Sequence, residues 1–87
     1  MKIEFSHNFI KNFQKRFGNN LSLRKKFEER TKLFSSNPNN FLLHDHSLKG
    51  KKVSLRSFSI TGDIRVIYKI INKIAYFLDI GSHNQVY

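Results

Sequence analysis

Residues 64–80, with the sequence IRVIYKIINKIAYFLDI, decide the fold that we expect for this chain of 87 residues. Asn72-Lys73 divides the stretch into two apolar, strand-like runs, Ile64–Ile71 and Ile74–Ile80. A link of two residues permits only antiparallel pairing, because parallel strands need a long crossover. The stretch therefore predicts a β-hairpin.

The alternation of side chains along the first run predicts one buried and one open face. Val66 and Tyr68 share one face, whereas Arg65 and Lys69 lie on the other, because successive side chains of a strand point in opposite directions. We expect the first face to meet helices. The second face is expected to be open, with Arg65 on it.

Outward from the hairpin, the sequence predicts one more strand before it and three elements near the N-terminus. Val53–Ile60 reads as a strand that the turn Thr61-Gly62-Asp63 joins to the hairpin. Lys2–Phe5 predicts a short first strand. Two helices follow, the first capped by Ser6 and the second running from about Leu21 to Phe34.

The resulting element order, β-α-α-β-β-β, predicts an α+β fold in which two N-terminal helices pack on an antiparallel sheet. A chain of this length is expected to form one domain over residues 1–87. The segment Phe41–Gly50 has no clear period and is expected to be irregular. The residues expected to pack it across the sheet are Phe41, Leu42, Leu43 and Leu48.

The charge of the chain predicts an anionic partner. Sixteen Lys and Arg residues face six Asp and Glu residues, which gives a formal net charge of +10. Such an excess attracts nucleic acid, an acidic protein or an anionic membrane surface. The sequence has no cysteine for disulfides or thiolate metal sites, no stretch apolar enough to span a bilayer and no signal-peptide pattern. We expect a cytoplasmic protein without a membrane partner.

Polar and titratable residues concentrate after Phe41, among the predicted strands. They are His44, His46, Arg56, Asp63, Arg65 and His83. Asp63 precedes the middle strand and His83 follows the last, so antiparallel topology places both at one end of the sheet. His46 falls at the opposite end by simple topology, although the seven residues before Val53 reach roughly 23 Å when extended and permit a return.

These side chains suit the cleavage of RNA. RNA carries its own nucleophile, the 2′-hydroxyl, so the protein must supply a base, an acid and cations for the phosphate. Histidine titrates near neutral pH, and the planar fork of arginine binds two phosphate oxygens. No metal ion or other cofactor is expected. The trio His44, Asp45 and His46 also fits a hydrogen-bonded loop or, more weakly, a metal site, and Asp63 fits a turn.

Four spaced motifs resemble RelE/ParE-superfamily toxins, and the YafQ-like branch is the most similar. The motifs are His44–Gly50 (HDHSLKG), Leu55-Arg56, Gly62–Lys69 (GDIRVIYK) and Ile80–Tyr87 (IGSHNQVY). The first 40 residues match only in their strand–helix–helix order. As a composite the motifs are fairly specific, although each alone is weak.

The resemblance implies a bacterial type II toxin that cleaves mRNA in the ribosomal A site and is restrained by a cognate antitoxin. It implies a microbial-RNase-like α+β fold. The residues that it implies for catalysis are His46, Asp63, Arg65 and His83, and those implied for substrate binding include Arg56 and Tyr87. Ser59 stands where the branch has another active-site histidine, and Ile64 stands where it has a tryptophan. His44 is an extra histidine and a candidate replacement for the missing one.

We therefore interpret the chain as a metal-independent endoribonuclease toxin. His46 or Asp63 is the expected base, His83 the expected acid, and Arg65 with Arg56 the expected phosphate clamp. The residues expected to bind backbone phosphate, chiefly that of ribosomal RNA, are Lys49, Lys51 and Lys52, together with the lysines of the two helices. Two alternatives stay open: a ParE-like inhibitor of DNA gyrase and a non-catalytic RNA-binding module.

Overall fold

The two N-terminal helices pack on one face of a mixed β-sheet. The structure, a computed structural model, describes residues 1–48, 50 and 54–87. Its elements are β1 (Lys2–Phe5), α1 (His7–Phe17), α2 (Leu21–Ser36), a 3₁₀ turn (Phe41–Leu43), β2 (His46–Ser47), β3 (Arg56–Ser59), β4 (Ile64–Ile71), β5 (Ile74–Ser82) and α3 (His83–Val86). The order along the sheet is β1-β5-β4-β3-β2.

The predicted α+β fold is confirmed, and the sheet is antiparallel from β2 to β5. The first strand adds a parallel edge: Lys2 lies opposite Ile74 and Phe5 opposite Phe77. The short turns between β3, β4 and β5 predicted the antiparallel part, because a short turn can join only antiparallel neighbours. The strands β1 and β5 lie near opposite ends of the chain. No pattern among neighbouring residues could therefore indicate that they pair.

Aromatic side chains form the core between the helices and the sheet. The rings of Phe34 and Phe58 stack with their centroids 4.6 Å apart, and the Phe77 ring meets both edge-on at 5.7 and 5.5 Å. Val66 and Tyr68 of β4 are buried in the same cluster. The predicted helix-facing side of the middle strand is therefore confirmed at Val66 and Tyr68, whereas Ile70, which alternation places on the same side, is 44% exposed.

The local signals at the helix ends also hold. Ser6 caps α1, since its side chain accepts a hydrogen bond from the backbone N–H of Phe9 at 3.0 Å. Asn20 caps α2 in the same way through the N–H of Leu23 at 2.9 Å. The second helix continues to Ser36, beyond its predicted end, because no breaker stands before Pro38.

The segment between α2 and β3 differs in part from expectation. Leu43 and Leu48 are buried as predicted, but Phe41 is 78% exposed and Leu42 is 43% exposed, so their predicted packing is wrong. The 3₁₀ turn directs these two side chains away from the sheet, and only the next one enters the core. The edge strand β2 was missed because two residues carry no readable period.

Both ends of the predicted strand region also shift. The strand predicted over Val53–Ile60 is too long, because β3 spans only Arg56–Ser59 and the described residues Ser54, Leu55 and Ile60 lie outside it. The predicted start at Val53 lies outside the described residues, as do Lys49, Lys51 and Lys52. The last strand continues to Ser82, and the short helix α3 follows it.

The side of the sheet opposite the main core is partly covered. Val86 of α3 packs there with Leu48 and Ile67, and Leu55 lies against them. The face expected to be open is therefore apolar at one end and polar around Arg65. Among the described residues, we find no helix with the length and apolar character that crossing a membrane requires.

Candidate active site

Arg65 lies at the centre of a hydrogen-bonded cluster on the polar side of the sheet. It stands opposite Ser59 of β3 in the antiparallel register, so the two side chains share a face. Its Nε donates to Ser57 Oγ and its Nη1 to Ser59 Oγ, both at 2.6 Å. Both serines are buried. The two hydroxyls therefore fix the plane of the guanidinium group against the sheet.

The segment before β2 brings His46 to the same guanidinium. Arg65 Nη2 donates to the carbonyl oxygen of His44 at 2.8 Å and lies 3.3 Å from His46 Nδ1. His46 Nδ1 in turn lies 3.0 Å from the His44 carbonyl. The backbone of His44 is left-handed, with φ 45°. Its carbonyl oxygen is shared between Arg65 Nη2 and His46 Nδ1.

This geometry favours one tautomer of His46. The shorter contact of Nδ1, at 3.0 Å, is to a carbonyl oxygen, which only accepts, and it favours a proton on Nδ1; Arg65 Nη2, which only donates, then lies 3.3 Å from Nδ1 without a hydrogen bond to it. In the neutral ring that proton leaves the Nε2 lone pair free, and the side chain is exposed. His46 is therefore oriented to accept a proton at Nε2 from a group in solvent.

Asp45 holds this segment against β3 and β4 through its carboxylate. Its Oδ1 accepts from Arg56 Nε at 2.8 Å and from Arg56 Nη2 at 2.6 Å, and its Oδ2 accepts from the hydroxyl of Tyr68. The hydrogen bond to Asp45 raises the pKa of Arg56 above its usual value. Burial, with the hydrogen bond to Asp45, raises the pKa of Tyr68 well above its usual value. Arg56 therefore stays charged with Asp45 as its counter-ion, and Tyr68 stays neutral.

The C-terminal residues complete the cluster from the other side. The hydroxyl of Tyr87 donates to Ser57 Oγ at 2.6 Å, so Ser57 accepts from Tyr87 and from Arg65. The rings of His83 and Tyr87 meet edge to face, 4.3 Å apart and 85° to each other. Ser82, the last residue of β5, is the N-cap of α3, and its N–H donates to Gln85 Oε1 at 2.7 Å. This short helix thus places His83 and Tyr87 beside the Arg65 cluster.

Asp63 occupies the predicted end of the sheet but does not join this cluster. Ile64 lies opposite Ser82, so Asp63 and His83 extend from the same end as predicted. The backbone N–H of Asp63 donates to Thr61 Oγ1 at 3.3 Å. The side chain is exposed, and its carboxylate has no hydrogen-bond partner among the described residues.

The structure thus brings together His46, Arg65 and Tyr87, with His83 reaching the cluster through the ring of Tyr87. Arg56 lies in an ion pair, and the catalytic or binding role of each residue stays a prediction. His44 contacts Arg65 through its carbonyl. Across residues 1–48, 50 and 54–87, no three His, Asp or Glu side chains are grouped so that they could bind a metal ion.

Sequence reasoning missed Ser57 and Tyr68 as parts of the site, whereas the hydrogen-bonded loop that it offered for Asp45 is present in the structure. One signal was available: Ser57 and Ser59 alternate with Phe58, so the turn before β4 places both serines on the face of Arg65. No signal indicated that Asp45 would reach Tyr68, because that contact depends on the fold of the segment before β2.

Known proteins share both the sequence pattern and the fold. Residues 1–87 match a family model described as "Bacterial toxin of type II toxin-antitoxin system, YafQ". A histidine-to-glutamine mutant of YafQ from E. coli is 23% identical, with a TM-score of 0.82, and the match covers 99% of this chain and 97% of that one. The E. coli DinJ–YafQ complex gives 23% identity, a TM-score of 0.80 and coverage of 99% and 97%.

A third related structure comes from another bacterium. The copper-bound leucine-to-serine mutant of a toxin from Helicobacter pylori is 27% identical, with a TM-score of 0.78 and coverage of 100% and 99%. A comparison with curated protein sequences gives no match. Since the family model spans the chain from its first residue to its last, this chain belongs to the YafQ family of bacterial toxins of type II toxin–antitoxin systems.

Proposed function

We propose that this toxin is a metal-independent endoribonuclease that cleaves mRNA in the ribosomal A site and so inhibits translation. One observation carries the proposal: the Arg65 guanidinium lies 3.3 Å from the Nδ1 of an exposed histidine, His46. A cation beside a proton acceptor is the pair that attack on a phosphodiester needs. No carboxylate among the described residues pairs with Arg65.

The proposed reaction begins at the 2′-hydroxyl of the substrate. Nε2 of His46 accepts the proton of that hydroxyl while its oxygen forms a bond to the adjacent phosphorus. The bond from phosphorus to the 5′-oxygen breaks, and the imidazolium of His83 gives that oxygen a proton. The products are a 2′,3′-cyclic phosphate and a 5′-hydroxyl end. Every step uses protons and electron pairs that the substrate and the two histidines supply.

Arg65 is proposed to stabilise the negative charge that gathers on the phosphate oxygens. Arginine has five N–H donors. Four hydrogen bonds, to the hydroxyl and carbonyl of Ser57, the hydroxyl of Ser59 and the carbonyl of His44, hold the group in place and leave one N–H on Nη1 without a partner among the described residues. A donor that is fixed before the substrate arrives stabilises the transition state without the cost of reorganisation.

The other predicted residues take supporting roles in this proposal. Tyr87 is proposed to orient the substrate or to stack on a base, and Asp63 is the alternative base. Arg56 already neutralises Asp45, so we assign the scissile phosphate to Arg65 first. The predicted phosphate-binding lysines Lys49, Lys51 and Lys52 lie outside the described residues.

The proposed partners are mRNA, the ribosome and a cognate antitoxin. YafQ of E. coli forms a complex with DinJ, and the fold of that complex's toxin matches this chain. We infer that an antitoxin with acidic or amphipathic segments covers the basic surface of this chain. The proposed site of action is the cytoplasm, where mRNA and ribosomes meet.

Primer extension on translated mRNA tests the proposal. New 5′ ends are expected when the wild-type protein is present, and they should disappear with His83→Ala and with Arg65→Ala, while circular dichroism shows both variants folded. A DNA supercoiling assay runs beside it. Loss of supercoiling with intact mRNA would identify a gyrase inhibitor, and RNA that is bound but uncut would identify a binding module.

A further inference from the structure

A basic concavity lies next to the Arg65 cluster, between α2 and the turn from β3 to β4. Its volume is about 660 Å³. Lys26 and Arg30 line one wall, and they share a face of α2 because they are four residues apart. His44 and Arg65 line the wall nearest the proposed cleavage site.

The cations of this concavity are not neutralised. None of its lining residues carries a carboxylate. Lys26 and Arg30 have no hydrogen bond or ion pair within the described part of the chain. By contrast, Arg16 lies 3.2 Å from Asp79 and Arg56 lies 2.6 Å from Asp45.

Half-buried cations without counter-ions raise the free energy of the folded protein through mutual repulsion. Lys26 and Arg30 are both partly buried, and both line the same space as Arg65. An anion placed in the concavity would relieve this repulsion. The arrangement therefore fits a ligand that carries negative charge into the space beside the site.

We propose that the concavity binds the RNA strand next to the cleavage point, with Lys26 and Arg30 contacting a backbone phosphate other than the scissile one. The inference rests on the proposed function, since the phosphate in question belongs to the RNA strand that the candidate site is proposed to cleave. Arg65 belongs to both the concavity and the His46 cluster, so a strand held at His46 continues directly into this space. A single-stranded backbone offers phosphates at regular intervals for such a groove.

The continuity with Arg65 favours RNA over an acidic protein segment as the occupant. An acidic segment needs only cations, whereas an RNA strand also explains why the concavity includes Arg65, which lies beside His46 in the proposed cleavage site. Neutralising Lys26 and Arg30 distinguishes the two occupants. If RNA is the occupant, the binding of RNA weakens; if an acidic protein segment is the occupant, only the binding of that segment weakens.

Salt-dependent binding of a short oligoribonucleotide with 2′-O-methyl groups, which cannot be cut, tests the proposal. The variant Lys26→Gln/Arg30→Gln is expected to bind roughly tenfold more weakly at low salt. Its slope of log K against log salt should be lower by about 0.7, because the loss of one phosphate contact on a single strand removes about 0.7. The matched control, Lys11→Gln/Lys15→Gln, removes the same charge from an exposed face of α1 outside the concavity and should change the slope far less.

A neutral methylphosphonate moved one linkage at a time then locates the contact. At one linkage beside the cleavage point, it should weaken wild-type binding and leave the Lys26→Gln/Arg30→Gln variant unaffected. Equal slopes for the two double variants would overturn the inference, as would loss of binding to a polyglutamate peptide with RNA binding intact.

Cleavage of unmodified mRNA by the wild-type protein separates this inference from the proposed function. If the wild type cuts mRNA and the slopes do not differ, the concavity is not part of the RNA path. If the wild type cuts nothing but the slopes differ as expected, the endoribonuclease proposal fails and the RNA-binding concavity stands.

Discussion

The two faces of the sheet differ in what they contribute, although they are built from alternate residues of the same strands. On β3, Phe58 enters the aromatic core, while its neighbours Ser57 and Ser59 hold Arg65 on the other face. The first face gains stability from apolar burial. The second face buries hydroxyl groups and keeps a cation without a counter-ion. Neighbouring residues of one strand therefore have different roles: Phe58 stabilises the fold, whereas Ser57 and Ser59 position a residue of the candidate site.

The largest expected effect is on the apolar face. Phe34→Ala removes a ring that is 0% exposed and stacks on Phe58, and it should lower the free energy of unfolding by about 3–5 kcal/mol. Phe41→Ala is the matched control, because that ring is 78% exposed and its removal should change stability by no more than about 0.5 kcal/mol. Urea denaturation measures both, and equal losses would contradict the placement of the core.

On the polar face, Arg65→Gln should lower the rate of RNA cleavage by roughly 10²–10³, about 2.7–4 kcal/mol of transition-state stabilisation. Its effect on thermal unfolding should be much smaller than that of Phe34→Ala, because the side chain makes polar contacts at the edge of solvent. Arg65→Lys should rescue little, since an ammonium group cannot contact both serines in one plane. Cleavage kinetics and a melting curve on the same samples separate the two effects.

Tyr68 links the aromatic core to the segment that carries His46, since its ring lies in the core and its hydroxyl donates to Asp45. Tyr68→Phe leaves one carboxylate oxygen without that donor and should cost about 1–3 kcal/mol of stability. The raised pKa of Tyr68 gives the sign of the pH effect: the folded state holds the proton more tightly than the unfolded state, where the pKa is about 10. Stability should therefore fall as the pH rises above about 10, and the fall should be smaller in Tyr68→Phe. Identical pH slopes for the two proteins in urea titrations would contradict this.

The sequence predicted the fold where local chemistry determines it. The strand Ile64–Ile71 matches its predicted bounds, and Ser6 caps α1 as expected, because alternation and capping depend on neighbouring residues. The parallel pairing of β1 with β5 and the two-residue strand β2 depend on contacts between distant parts of the chain. These features leave no period in the sequence.

The site was predicted in part for the same reason. Spacing and resemblance selected His46, Arg65 and His83, and topology placed Asp63 and His83 at one end of the sheet. The left-handed turn at His44 and the anchor at Asp45 decide how His46 reaches Arg65. Both arise from a segment without secondary-structure pattern, so their contacts could be read only from the structure.

The measurement that tests the central claim most directly is cleavage of an mRNA with one 2′-deoxy nucleotide at the cut position. The account predicts that the wild-type protein cuts the unmodified mRNA and leaves the deoxy substrate intact, because the nucleophile is the missing hydroxyl and the histidines move the protons. Cleavage of the deoxy substrate at the same position would contradict the account.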